Sequence, residues 1–262
     1  MTLFPEIRLT PFSRLTQGSR WRAEAMRSYA SPQLVWITKG QGRITVAGVT
    51  QGFGAHNAIF IPAHTMHGLE MTAQAFGTAV SFTGMPDLDL PETPHHLRIR
   101  DNAVQVELTM LLDQLQREIE GKRLGAQQAI RHYAGLLCVW LERQIEVAEE
   151  GDPAPDSARR LAAGFAALVE KEFRSSKSVS DYAAQLGVTA THLTRICNQT
   201  CGRTASELLA ERKISEARRL LADTRAPIKD IAASLGYASP AYFTRAFQAR
   251  TGHAPLSFRK SG

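Results

Sequence analysis

Ile231-Ala-Ala-Ser-Leu-Gly-Tyr-Ala-Ser-Pro-Ala-Tyr-Phe-Thr-Arg-Ala-Phe-Gln248 decides how the last part of this 262-residue chain folds, because its pattern occurs twice. At a shift of 49, Asp181 matches Asp230, Ala183 and Ala184 match Ala232 and Ala233, and Leu186-Gly187 matches Leu235-Gly236. One residue is then inserted, and at a shift of 50 Leu193 meets Phe243, Thr194-Arg195 meets Thr244-Arg245, and Gly202 meets Gly252. Each copy reads as a short helix whose alanines let a second helix cross closely. Gly187 or Gly236 follows the last leucine, where the chain needs a left-handed residue to leave the helix. Thr189 or Ser239 then stands as the N-cap of a second helix. That helix buries Leu193 and Ile196, or Phe243 and Phe247, and turns its polar side outward. A duplicated hairpin in a plain helical bundle would share these features. Two copies with the same Thr-Arg favour a pair of helix-turn-helix units, whose second helices lie in the DNA major groove.

Charge points the same way. Residues 157–262 hold 17 Lys+Arg against 8 Asp+Glu, a net of +9, while the rest of the chain holds 14 against 17, a net of −3. A positive segment of this kind suits a polyanion, although an acidic membrane or protein surface would suit it too. Between the copies, Glu207 to Asp223 carries Leu208, Leu209, Ile214, Ala217, Leu220 and Leu221 at helical spacing. A helix of that length spans roughly 25 Å and would hold both second helices toward one face of a duplex. Major-groove entries there recur about every 34 Å, which implies some bending of the DNA.

The segment Gly151-Asp-Pro-Ala-Pro-Asp156 is rich in helix breakers and reads as a linker. Residues 101–150 before it have helical periodicity, broken between Gly121 and Gly125. They read as a helical hairpin whose apolar faces pack on the sheet, on each other or on a second subunit. Residues 1–100 read as short strands and Gly turns: Leu34–Thr38, Arg43–Ala47, Ala58–Ile61 and Gly77–Phe82. The expected fold class is therefore α+β in two domains, a β-sandwich or barrel with a helical hairpin followed by an all-α domain from residue 157. With 44% apolar residues the chain can build an ordinary core. It has no run of roughly 18 apolar residues for a membrane span and no leader-like start, so a cytoplasmic location is expected. Cys138, Cys197 and Cys201 are too few and too scattered for a disulfide framework and read as packing residues.

Residues 157–262 closely resemble the AraC/XylS family of transcriptional regulators. The stretch quoted above, continued by Thr251-Gly-His-Ala-Pro-Leu-Ser-Phe-Arg259, is similar to that family's C-terminal signature, and Arg212, Ala217 and Leu221 match its linker helix. The resemblance implies base contacts from the exposed faces of the two second helices. Carried over, these are Ala190, Thr191, Thr194 and Arg195, then Pro240, Ala241, Thr244 and Arg245. An arginine can bridge guanine O6 and N7, and alanine or threonine methyls suit thymine. Each arginine can also bind a phosphate or pair with an acid. Arg203, Arg250 and His253 are read as phosphate contacts or solvated charges.

The same resemblance implies a cupin-like sensor domain at the N-terminus. Ile59-Phe-Ile-Pro-Ala-His-Thr-Met-His67 is similar to the second cupin motif, with Pro62 and His67 in register. His56 and His64 stand where that motif has glycine, and the first motif's metal ligands are missing. A metal held by His56, His64 and His67 is thus disfavoured, no cofactor is expected, and an enzymatic cupin is the weakest alternative. Trp21, Tyr29, Trp36, Phe60, His67 and Phe82 are the candidate lining of an effector pocket, although large aromatics in a small barrel are mostly core. The expected partners are double-stranded DNA, a small-molecule effector, a second copy of the chain and RNA polymerase, with no membrane. A barrel that serves only for dimerisation is the alternative to an effector-controlled regulator.

Overall fold

In the computed structural model the described residues are 7–15, 21–85, 87–121, 123–149 and 156–261. Of the expected linker, Gly151 to Pro155 lies outside them. Among the described residues, eight strands form two antiparallel sheets. The larger has β1 (Ile7–Pro11), β7 (Phe76–Phe82), β2 (Gln33–Lys39), β5 (Asn57–Ile61) and β8 (His95–Arg98) in that spatial order. The smaller has β4 (Val49–Phe53), β3 (Gly42–Val46) and β6 (His67–Met71). Two four-residue helices, α1 (Phe12–Leu15) and α2 (Trp21–Glu24), follow β1.

Side-chain alternation along each strand explains the continuous apolar runs Leu34–Ile37 in β2 and Ala58–Ile61 in β5, which are covered on both faces. Val35, Ile37, Ile59, Ile61 and Ala79 face the small sheet and pack with its Ile44, Phe53 and Leu69. Leu34, Trp36, Ala58, Phe60, Val80 and Phe82 face the other way, onto α3 (Asn102–Gly121) and α4 (Ala126–Glu149). The helices meet that face with Leu108, Leu112, Leu115, Leu137, Trp140 and Leu141. Their opposite side leaves Val106, Met110, Leu136, Val139 and Val147 exposed.

This alternation corrects the expected pocket lining. Trp36, Phe60 and Phe82 are packing residues between sheet and hairpin, because their strand positions point away from the space between the sheets. Trp21 lines a different cleft, between the sheets and the C-terminal helices. Tyr29 and His67 do line the space between the sheets.

The C-terminal part is helical: α5 (Ser157–Glu172), α6 (Val179–Gln185), α7 (Ala190–Cys201), α8 (Ala205–Asp223), α9 (Ile228–Ser234), α10 (Pro240–Thr251) and α11 (Pro255–Ser261). Its core includes Phe165, Tyr182, Leu193, Leu208, Ala217, Ile231, Phe243 and Phe247. Met26 and Met66, from the sheet region, belong to that same core. Helix α8 is enclosed rather than an open spacer, with Arg212, Lys213, Ile214, Ser215, Glu216 and Ala217 buried in succession.

No described helix is long and apolar enough to cross a membrane. Cys138 and Cys197 are buried free thiols, and burial pushes them up to about 11 and about 12. Such thiols are chemically quiet.

Candidate nucleic-acid interface

Helices α6 and α7 form the first copy of the repeat, α9 and α10 the second. Ser178 and Asp181 close a capping box at the start of α6. At its end the Gly187 N–H donates to the Ala184 carbonyl and the Val188 N–H to that of Ala183. The second copy repeats this, with Gly236 to Ala233 and Tyr237 to Ala232. Both are Schellman closures, and Gly187 and Gly236 take the left-handed conformation they need, at φ 69° and 70°. Only the first alanine of each pair does the packing expected of both: Ala183 and Ala232 are buried, Ala184 and Ala233 exposed.

The second helices start alike. Thr189 Oγ1 accepts from the His192 N–H at 3.1 Å, and Ser239 Oγ accepts from the Tyr242 N–H at 3.2 Å. Pro240 occupies the first turn of α10, where its missing N–H costs nothing. Both helices end on a left-handed glycine, Gly202 and Gly252.

Each helix buries one stripe, Leu193, Ile196 and Cys197 on α7 and Phe243 and Phe247 on α10. Thr191 and Arg195 are exposed on α7, as are Pro240, Ala241 and Arg245 on α10. Thr194 and Thr244 are half-buried, and Ala190 packs partly against the helical core. Arg195 Nη2 donates to His192 Nδ1 at 3.1 Å, which steadies the guanidinium on the outer face. His192 has its repeat counterpart in Tyr242, an exposed aromatic in the first turn of α10. Neither was among the expected contacts, although the shift of 50 aligns them.

Arg203 departs from its reading as a phosphate contact or solvated charge. Its Nη2 donates to Glu70 Oε1 at 2.8 Å and its Nε lies 3.3 Å from Glu211, so the guanidinium is spent on the sheet region and α8. Arg250 and His253 are exposed. Nearby, Thr200 Oγ1 donates to the Gly48 carbonyl, anchoring the end of α7 to the β3–β4 turn.

The space between the two sheets is a cavity of about 380 Å³. His67 sits in its wall, with Nδ1 donating to the Thr65 carbonyl at 2.8 Å. Burial, and then the charge of Arg27, lowers its pKa to about 3, so the ring is neutral. His56 and His64 lie in turns with positive φ, 63° and 55°, the conformation that favours glycine at those places. Among the described residues no three His, Cys, Asp or Glu side chains are grouped as a metal ion would require.

The family model described as a helix-turn-helix domain matches residues 182–261. The arabinose operon regulatory protein of Salmonella typhimurium is 27% identical over 150 residues, covering 54% of this chain and 52% of that protein. The probable transcription factor PqrA of Proteus vulgaris is 33% identical over 84 residues, covering 32% of this chain and 69% of that protein. The chain spans about half the length of the curated relatives it matches first. Among solved structures, ToxT from Vibrio cholerae O395 aligns over 98% of both chains at 14% identity and a TM-score of 0.45, too loose a likeness to carry an argument.

Proposed function

We propose that this chain, which belongs to the AraC/XylS family of transcriptional regulators, is a sequence-specific DNA-binding regulator rather than an enzyme. The observation that carries this is the repeated glycine-closed helix pair, with a capped second helix whose outer side is polar and cationic. In this reading α6–α7 and α9–α10 are two helix-turn-helix units within a DNA-binding domain spanning 157–262. Thr191, Thr194 and Arg195 face the bases from the first unit, with Ala190 at its edge. Pro240, Ala241, Thr244 and Arg245 do so from the second. Arg195 reads a guanine edge, while Pro240 and Ala241 offer little hydrogen bonding and fix position. Arg250 and His253 hold phosphates, and Arg203 joins them once it leaves Glu70.

Residues 1–100 then form a cupin-like sensor domain, and the cavity between the sheets takes a small-molecule effector. The α3–α4 hairpin of residues 101–150 carries an exposed apolar side, and we assign it to a homodimer contact. Effector binding shifts how the two DNA-binding domains sit on operator half-sites, and RNA polymerase is the partner that reads the result.

Fluorescence anisotropy on a labelled operator across a salt series tests the main claim. Affinity should fall steeply as phosphate counterions are released, and salt-insensitive binding overturns the reading. Arg195→Ala should cost about 1–3 kcal/mol at particular base pairs. A uniform loss over all sequences moves Arg195 from base to phosphate.

A further inference from the structure

The polar and apolar parts of the cavity are sorted by strand register. Arg8, Ser81 and Gln33 stand side by side across β1, β7 and β2, and Gln33 Nε2 donates to Ser81 Oγ at 2.8 Å. One row further in, Thr10, Ala79 and Val35 are register partners, and Ile44, Ile61 and Leu69 complete an apolar interior. Arg27 and Tyr29 line the same cavity, with the Arg27 guanidinium 5.5 Å from the Tyr29 ring centre. Two arginines border this cavity, and no Asp or Glu is among its described lining residues. His67 uses its Nδ1 proton on Thr65, so its Nε2 is an acceptor.

Residue alternation also ties the cavity to the helical region. Arg27 and Tyr29 line it, and Ser28 between them points the opposite way. Ser28 Oγ donates to Glu170 of α5, and Arg212 of α8 donates to the same carboxylate at 2.6 and 2.9 Å. Arg212 Nη2 lies 3.5 Å from Ser28 Oγ, and both Arg212 and Glu170 are at most one-tenth exposed.

We propose that the cavity binds a small carboxylate with an apolar body, its carboxylate against Arg8 and Arg27 and its body among Val35, Ile44, Ile61 and Leu69, and that occupancy reaches α5 and α8 through Ser28. This rests on the effector reading above and names the ligand's class. A guanidinium is the group that matches a carboxylate in paired geometry. Both arginines favour an anion over a sugar. The volume is near the small end of the roughly 300–1,000 Å³ range of ligand pockets, which limits the ligand to on the order of ten heavy atoms. A hydroxyl on the body gains a further bond by donating to His67 Nε2. With two guanidinium groups on its wall, the cavity favours the acid over the uncharged amide of the same shape, because only the acid brings a negative charge to them.

Calorimetry on the full chain, with no DNA present, tests the ligand class. The probes are benzoate, 4-hydroxybenzoate and hexanoate, each against its amide, with glucose as a neutral polyol. At least one carboxylate should bind about tenfold or more tightly than its amide, and Arg8→Gln should remove most of that preference. Arg8 is exposed, so its replacement leaves the fold intact. Arg27→Gln should do the same, with its melting curve checked because Arg27 Nη1 also donates to the Ala23 carbonyl. Amides that bind as well as acids, glucose binding in their place, or no carboxylate binding at millimolar concentration each overturn the assignment. For the coupling, Ser28→Ala should keep carboxylate affinity within about twofold and abolish the ligand's effect on operator affinity. A ligand effect that survives Ser28→Ala overturns the route. A chain that binds the carboxylate but no DNA sinks the regulator reading while supporting the ligand class.

Discussion

Gly187 and Gly236 occupy the same place in the two repeats with nearly the same φ, yet their surroundings differ. A Cβ on Gly187 would meet nothing within 4 Å, while one on Gly236 would lie 2.1 Å from the Ser175 carbonyl oxygen. Gly187→Ala should therefore cost only the left-handed penalty, about 1–2 kcal/mol in urea unfolding. Gly236→Ala should cost clearly more, since backbone must also move. Equal losses would mean that the Ser175 segment yields freely. His67 offers a pH test. Its folded pKa of about 3 is below the ordinary 6.5, so between those values the unfolded chain binds the extra proton. Stability should fall as pH drops from 6.5 and level off near 3. His67→Gln should flatten that part of the profile, read as urea midpoint against pH. The glycines were legible in the sequence, because a turn glycine after a helical leucine has few other uses. The His67 environment was not, since Arg27 reaches it through an isolated bridge with no periodic signature.

Helix α8 shows where periodicity misleads. Its leucines and alanine predict an inner side, and those residues are indeed buried. The charged residues between them carry no such signal, yet Arg212, Lys213 and Glu216 are enclosed as well. Arg212 pairs with Glu170 and stacks over Phe173 at 3.9 Å, and Lys213 Nζ donates to the Ser175 carbonyl at 2.9 Å. One helix cannot reveal this, because the covering groups come from α5, the α5–α6 turn and the sheet region. Burial opposes ionisation of Glu216, but hydrogen bonds from Arg219 and Arg174 and the charge of Arg212 outweigh it and hold its pKa at about 2. Its contribution is full above the ordinary 4.5 and fades as pH falls toward 2. Arg212→Ala strands the largely enclosed Glu170 carboxylate, since Glu216 keeps Arg174 and Arg219, and should cost about 3–5 kcal/mol. Arg212→Met paired with Glu170→Leu should recover part of that loss. A double variant no better than the single one would show that shape, not charge, sets the cost. The strand elements were read better. β2, β3, β5 and β7 were visible as apolar runs, whereas β1, β4, β6 and β8 mix polar residues into short stretches and were missed. Trp36, Phe60 and Phe82 stood as pocket candidates only as large aromatics, and the face each takes depends on what covers the sheet, which the strand sequences do not carry.

At the scale of the molecule, the sheet region and the helices meet through few but specific contacts. Glu70 accepts from both Arg43 and Arg203, Thr200 bonds the Gly48 carbonyl, and a Cβ on Gly48 would lie 2.9 Å from the Ala162 carbonyl oxygen. Glu70→Gln should release Arg203, strengthening operator binding and steepening its dependence on log salt by about one. An unchanged slope would leave Arg203 as a packing residue. The three that join the sheet region to the helices have no local sequence signal, since each links positions more than a hundred residues apart. Met26 and Met66 sit in the helical core although the α3–α4 hairpin lies between them and it. During synthesis they leave the ribosome well before Phe165 or Ile214 exists to cover them. The nascent sheet region must therefore wait with this thioether patch bare, open to chaperones and to oxidants that would turn it polar. Only the arrival of the C-terminal helices ends that exposure, so the last third of the chain finishes the first.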